Sequence, residues 1–216
     1  MCTHIIFDLD GTLVYSHRGI LNSIKYALNC MGLSVPADET LMKFIGPPLE
    51  YSYINFCNLN EKQCQKAVKL FRERYAQKGI CECELIPRTF EMLENLKVRD
   101  YSLHIATSKP REYTLEILRS LNIRQFFSCV GAAPLTEKTR DKTSIINSVK
   151  KSANIKTQDT VIMIGDRKED VIGARNTGIE FIGVKYGYSE NNEFEELGVK
   201  NVFASVIELE QHLIAI

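Results

Sequence analysis

The sequence lacks an excess of charge of either sign and lacks long apolar runs. Its 27 lysines and arginines balance its 27 aspartates and glutamates, so no overall field attracts nucleic acid or an anionic membrane. No run of about 18 apolar residues occurs, and we expect no membrane span. The N-terminus has the pattern of a core strand, not of a basic stretch followed by a signal core. These absences predict a cytoplasmic protein with no nucleic-acid or membrane partner.

The sequence also lacks any Cys-x-x-Cys pair. Its seven cysteines include one tight pair, Cys81 and Cys83, with neither a second pair nor a close histidine to complete a zinc site. We interpret the cysteines as free thiols in a reducing compartment. A redox role for the tight pair is the less favoured alternative.

Apolar runs of strand length alternate with helical periodicity along much of the 216-residue chain. This alternation predicts an α/β fold with a parallel sheet covered on both faces. The predicted strands are His4–Asp8, Leu103–Thr107, Phe127–Gly131, Thr160–Gly165, Glu180–Val184 and, more weakly, Asn201–Ala204. Helices are predicted around Leu115–Leu121, Ile145–Val149, Val171–Ala174 and Val206–Leu213.

One stretch, from about Tyr15 to Ile86, shows helical patterning and no clear strand. Ile20, Leu21, Ile24, Ala27 and Leu28 follow the spacing of one helical face. We therefore predict a small α-helical domain, residues 15–86, inserted into a core of residues 1–14 and 87–216. A run of ordinary helices packed on the sheet is the alternative.

Two acids follow the first predicted strand, in the segment Asp8-Leu9-Asp10-Gly11-Thr12. Two carboxylates this close repel each other unless they share a proton or a cation. Taken alone, the pair is better explained as two solvated acids in a loop.

Three further polar segments lie at strand ends or adjacent helix starts, where ligands collect in open parallel sheets. Thr107 and Ser108 offer hydroxyls for an anion, although a helix cap is the simpler reading of that pair alone. Lys142 offers a point charge at a helix start, where Lys138 and Arg140 compete for the same role. The fourth segment carries two acids one helical turn apart, Asp166 and Asp170.

The four segments together provide both halves of a site for a phosphate ester. The carboxylates form a hard oxygen site that suits Mg²⁺. The hydroxyl and the lysine suit an anion that bridges to that metal.

The four segments, in this order, resemble the motifs of the haloacid dehalogenase superfamily of phosphohydrolases, beginning with its DxDGT signature. The resemblance covers residues 1–14 and about 87–216, and implies a Rossmann-like core with a helical cap of the first type. The run Phe44–Leu49 resembles a cap loop of the branch that contains phosphoglycolate phosphatases and 5′-nucleotidases, which implies substrate contact at Gly46. One departure is at the second hinge, where Pro87 is followed by Arg88 rather than by the usual glycine.

The resemblance implies a role for each site residue. Asp8 is the nucleophile that forms an aspartyl-phosphate, and Asp10 is the general acid and base. Lys142 and Thr107 stabilise the transferring phosphoryl group, with Ser108 as a flanking donor. The implied Mg²⁺ ligands are Asp8, Asp166, the backbone carbonyl of Asp10 and, through water or indirectly, Asp170.

The leading hypothesis is therefore a Mg²⁺-dependent phosphatase of small phosphorylated metabolites. A phosphotransferase similar to β-phosphoglucomutase is the first alternative, because it has the same core residues. A non-catalytic phosphate-binding module and a dehalogenase are less favoured, because the acids and the lysine are intact and a dehalogenase does not need Asp10. We expect a monomer, with a homodimer as the alternative.

Overall fold

The structure is a computed structural model that describes residues 3–134, 141–190 and 192–215. The chain divides into two compact units, one of Met1–Tyr15 with Leu85–Ile216 and one of Ser16–Glu84. The predicted borders of a core and a cap remain predictions, because compactness alone does not make the smaller unit a cap. Lys138 and Arg140, which competed with Lys142 in the sequence, lie outside the described residues.

The larger unit is built on a six-stranded parallel sheet. Its strands are β1 Thr3–Phe7, β4 Ser102–Pro110, β5 Phe127–Ala133, β6 Thr160–Gly165, β7 Glu180–Val184 and β8 Val202–Phe203. Along the sheet they run in the order β5, β4, β1, β6, β7 and β8, which confirms the predicted α/β fold. Two short strands that the sequence did not predict, β2 (Val14–Tyr15) and β3 (Glu84–Leu85), form a separate two-stranded sheet.

The register of the central strands aligns their carboxyl ends. Phe7, the last residue of β1, is opposite Ile105 of β4 and Ile164 of β6. Residues that follow these positions therefore meet at one edge of the sheet, as open parallel sheets require for a ligand site. The strand side chains Ile5, Ile6 and Phe7 are fully buried, and their burial stabilises this arrangement.

Helices cover the sheet of the larger unit. They are α5 Thr89–Val98, α6 Arg111–Ser120, α7 Lys142–Ser152, α8 Lys168–Asn176, α9 Glu193–Glu196 and α10 Val206–Ala215. One buried cluster joins Ile6 and Met163 of the sheet to Ile146 of α7 and Ala174 of α8. This packing fixes α7 and α8 against the central strands β1 and β6.

Not every apolar residue of these helices faces the core. Ile172 of α8 and Ile207 of α10 are 46% and 48% exposed, because their neighbours Val171 and Val206 already face the core. Pro110 precedes α6 with an extended backbone (φ −54°, ψ 139°).

The smaller unit contains α1 His17–Cys30, α2 Asp38–Met42, α3 Leu49–Cys57, α4 Glu61–Gln77 and a short 3-10 helix, Gly79–Cys81. The predicted face of α1 is buried along its length. Asn60 caps α4, since its side chain accepts from the Gln63 amide while the Gln63 side chain accepts from the Asn60 amide. Over the described parts of both units, no helix combines the length and the apolar character needed to cross a membrane.

Candidate active site

A tight turn after β1 presents the first two acids. The Asp8 amide donates to the carbonyl of Ile164 on β6 (2.9 Å), which extends the pairing of the two strands. The chain then folds back, and the amides of Leu13 and Val14 donate to the carbonyl of Leu9 (3.0 and 3.1 Å). Gly11 has φ +81° in this turn, a conformation that favours glycine. The turn fixes the backbone of both acids at the carboxyl edge of the sheet.

Lys142 joins two of the predicted acids. Its ammonium donates to Asp8 Oδ1 (2.7 Å) and to the carbonyl of Ala106 (3.0 Å), and it lies 2.7 Å from Asp170 Oδ1. Only 5% of the lysine side chain is exposed. Lys142 is the first residue of α7, whose start is capped because the Asp141 carboxylate accepts from two following amides.

Asp166 and Asp170 complete a cluster of three buried acids. Asp166 follows β6 directly, and its carboxylate accepts from the Tyr188 amide (2.6 Å) and the Thr12 hydroxyl (3.3 Å). Asp170 lies in the first turn of α8, and its Oδ2 accepts from the Arg167 amide (3.2 Å). One oxygen each of Asp8, Asp166 and Asp170 lies within 4.8 Å of the others.

The electrostatics of this cluster favour a bound cation. Burial raises the pKa of Asp8 to about 6 despite the opposing effect of Lys142, and burial raises the pKa of Asp166 well above its ordinary value. Burial alone would lower the pKa of Lys142, but Asp170 and Asp8 raise it overall. Lys142 thus contacts two of the three carboxylates, Asp8 and Asp170, whereas the partners of Asp166 named above are uncharged. A divalent cation fits this donor set, because it would compensate the remaining negative charge.

The second predicted segment lies within a strand rather than at a helix start. Thr107 is 1% exposed, and its hydroxyl accepts from the Lys109 amide (3.2 Å). It is not the cap of α6, which begins at Arg111. Ser108 is partly exposed. The predicted contacts of Thr107 and Ser108 with a phosphate remain predictions.

Asp10 does not join the three clustered acids through its side chain. Its carboxylate instead binds the ammonium of Lys109, with 2.9 Å to Oδ1 and 3.0 Å to Oδ2. Sequence reasoning assigned no role to Lys109, although its spacing of two from Thr107 is the period at which strand side chains share a face. The Tyr188 amide that binds Asp166 was also missed, and no sequence signal marks a backbone donor.

Gly46, the remaining predicted residue, belongs to the smaller unit. It is exposed and has φ +105°. Its predicted contact with substrate remains a prediction.

The fold and the site together define a class of protein. A parallel α/β sheet whose carboxyl edge gathers three buried acids and an ammonium is typical of enzymes, and the three acids could hold a metal ion. Residues 5–184 match the model of the haloacid dehalogenase-like hydrolases. The chain belongs to that family, which confirms the predicted resemblance.

Individual relatives support the same family. The chain is 34% identical to a 5′-nucleotidase of Pseudomonas aeruginosa, over 88% of the chain and 86% of that protein. It is 31% identical to the tyrosine-protein kinase PtkA of Mycobacterium tuberculosis, over 85% of the chain but only 62% of the kinase. A crystal structure described as a "predicted phosphatase" from Clostridium acetobutylicum matches with a TM-score of 0.90 and 34% identity, over 100% of both chains.

More distant relatives bear the name phosphoglycolate phosphatase. With the family match and the phosphatase names among its relatives, the protein is a phosphoric monoester hydrolase.

Proposed function

We propose that the protein is a Mg²⁺-dependent phosphatase that hydrolyses small phosphate monoesters through an aspartyl-phosphate on Asp8. The observation that carries the proposal is the contact of one buried ammonium, that of Lys142, with both Asp8 and Asp170, beside Asp166. This arrangement pairs a carboxylate nucleophile with a cation that can bind the phosphoryl oxygens.

In this proposal Asp8, Asp166 and the backbone carbonyl of Asp10 would hold the metal, and Asp170, which lies in the same cluster, would support it through water or indirectly. When bound, the metal offsets the charge of the phosphate dianion and of the carboxylate that approaches it. The hard oxygen donors favour Mg²⁺.

In the first half-reaction, an oxygen of the Asp8 carboxylate attacks phosphorus while the bond from phosphorus to the ester oxygen breaks. Lys142 binds Oδ1 of Asp8, which leaves Oδ2 for the attack. Asp10 gives its proton to the departing ester oxygen. Lys142 and the Thr107 hydroxyl stabilise the equatorial oxygens.

In the second half-reaction, water attacks the phosphorus of the aspartyl-phosphate and Asp10 takes a proton from that water. The bond between phosphorus and the Asp8 oxygen breaks, which returns Asp8 as a carboxylate and releases inorganic phosphate. The proton that Asp10 donated is thereby restored.

We propose the substrate only as a class, small phosphorylated metabolites, because the names of the protein's relatives refer to several different phosphorylated substrates. A panel should therefore contain a nucleoside 5′-monophosphate, phosphoglycolate, pyrophosphate and a sugar phosphate. We expect Mg²⁺-dependent release of inorganic phosphate from at least one ester. Conversion of a sugar phosphate only with a bisphosphate primer, and without phosphate release, would instead identify a mutase.

The nucleophile is tested by Asp8→Asn, matched by Asp38→Asn, which makes the same change at an exposed acid of the smaller unit paired with Lys25. We expect Asp8→Asn to abolish turnover while Asp38→Asn retains it. Activity of Asp8→Asn above a few per cent of wild type would exclude the aspartyl-phosphate route.

The metal is tested by chelation. Activity should disappear with EDTA and return with Mg²⁺, whereas Ca²⁺, which is larger and less demanding in geometry, should support it poorly. Mg²⁺ should also raise the melting temperature of the wild type more than that of Asp166→Asn. Full activity in chelator would refute the metal assignment.

A further inference from the structure

Lys109, which contacts Asp10, lies in an irregular stretch at the end of β4. Thr107 is paired with Ala132 of β5, and Pro110 is paired with Ala133. An advance of three residues along β4 therefore corresponds to an advance of one residue along β5. Such irregularities redirect side chains and are common beside active sites. β4 pairs directly with β1, and the turn that carries Asp10 follows β1.

The contact between Lys109 and Asp10 is well defined. The ammonium lies 2.9 Å from one carboxylate oxygen and 3.0 Å from the other. The exposed fractions of the two side chains are 6% and 17%, so the pair is far less screened than a surface ion pair. Across the three described ranges of the chain, Lys109 is the side chain that hydrogen-bonds the Asp10 carboxylate.

The same residue also contacts the predicted phosphate site through its backbone. The Lys109 amide donates to the Thr107 hydroxyl oxygen (3.2 Å). Lys109 thus fixes the hydroxyl with its backbone and the acid with its side chain. A shift of this residue would move both groups relative to Asp8.

From this geometry we infer that Lys109 is a positioning residue for proton transfer, which holds the Asp10 carboxylate in one orientation toward the reacting oxygens. The inference rests on the proposed function, in which Asp10 gives a proton to the leaving oxygen and later takes one from water. Lys109 keeps its own protons throughout. Its ammonium contacts both Asp10 oxygens and so fixes the plane of the carboxyl group that exchanges the proton.

This role differs from binding the substrate anion. In the structure the Lys109 charge is compensated by Asp10, whereas Lys142 lies between Asp8 and Asp170 and is the cation proposed for the phosphoryl group. Loss of a positioning residue should slow proton transfer selectively. Loss of an anion-binding residue should weaken the binding of all phosphate esters to the same extent.

The test compares a poor and a good leaving group of similar shape, phenyl phosphate and 2,4-dinitrophenyl phosphate. Single-turnover release of the phenol, with enzyme in excess, reports only the first half-reaction. A poor leaving group needs the proton from Asp10 and a good one needs it far less. We expect Lys109→Met to lower the ratio of the phenyl to the dinitrophenyl rate by about tenfold or more. An unchanged ratio, or an equal rise in KM for both esters, would overturn the inference.

Three variants complete the experiment. Lys109→Arg, which keeps a cation, should restore most of the ratio, and Lys150→Met serves as the matched control because that lysine donates to the Thr177 carbonyl instead. Asp10→Asn combined with Lys109→Met should be no slower on phenyl phosphate than Asp10→Asn alone, because the two residues act through one proton. Additive losses would contradict the inference. Melting temperatures of all variants show that each is folded, and if Lys109→Met fails to fold, Lys109→Gln replaces it.

The two levels of the proposal fail differently. If the wild type released phosphate from no ester of the metabolite panel and neither phenol from the aryl phosphates, the phosphatase proposal would fall and this inference with it. If the wild type were active but the ratio did not change in Lys109→Met, only the role of Lys109 would be refuted.

Discussion

Acidification should destabilise the fold through one buried histidine, His104 on β4. It is 1% exposed, and its Nε2 lies 3.0 Å from Nδ1 of His4 on the neighbouring strand. His4 in turn lies 3.6 Å from Asp159. Among the described residues, Nδ1 of His104 has no hydrogen-bond partner. A proton added there would create a buried charge with no acceptor, which is unfavourable.

The size of the effect follows from the pKa of His104. Burial, together with the nearby charges of His4 and Lys97, lowers this pKa from 6.5 to about 4. Between these values the unfolded chain binds a proton that the folded chain does not, so the free energy of unfolding decreases as the pH falls. The decrease is about 2 kcal/mol at pH 5 and about 3 kcal/mol at pH 4, relative to neutral pH.

Urea unfolding of the wild type and of His104→Gln in EDTA, at pH 7, 6, 5 and 4.5, measures this contribution. The difference between the two proteins is the relevant quantity, because acids with a raised pKa, such as Asp8, act in the opposite direction. Relative to wild type, His104→Gln should gain about 2 kcal/mol of stability between pH 7 and pH 5. His212→Gln, which removes a histidine of α10 instead, is the matched control.

Two results would refute this reasoning. If His104→Gln and wild type lost stability in parallel from pH 7 to pH 4.5, protonation of His104 would not be the cause. If His212→Gln changed the pH dependence as strongly as His104→Gln, the effect would belong to histidine content and not to the buried pair.

Three substitutions test other parts of the structure. Lys142→Met should lower kcat by about a hundredfold or more, because it removes the cation from the buried acids, while Lys150→Met should retain activity; similar phosphatase rates for the two would refute the role of Lys142. Gly165→Ala should impair activity and metal binding, because its Cβ would lie 2.3 Å from an Asp170 carboxylate oxygen; isothermal titration with Mg²⁺ would contradict this if affinity were unchanged. Arg88→Gly should raise the free energy of unfolding by about 1 kcal/mol, because Arg88 has φ +72°; a lower melting temperature would count against it.

Parts of the fold were readable because short apolar runs ended in turn residues. The runs Thr160–Gly165 and Glu180–Val184 are strands with the predicted bounds. The strands β2 and β3 could not be read, because two residues carry no periodicity and these strands form only by pairing with each other. The exposed Ile172 shows a related limit, since apolar character near a helix start does not reveal which way the side chain faces.

The candidate site was also predictable only in part. The acids and Lys142 could be predicted because they lie at strand ends and helix starts, which the fold brings together. The spacing of Lys109 from Thr107 could have placed it on the face of the site, but its partnership with Asp10 joins two strand ends and is not a property of one sequence segment. Arg88 occupies a backbone conformation in which glycine is unstrained, which accounts for the usual glycine at this position, while nothing in the structure explains the arginine found here.

The crowding of negative charge around Lys142 has a consequence for handling the protein. Any cation that binds the three acids only in the native state shifts the folding equilibrium by mass action. Purification in strong chelators should therefore shorten shelf life and increase susceptibility to proteases, even though every residue is intact. Resistance to digestion, followed as magnesium is titrated back, would then report occupancy of the site without any substrate being known.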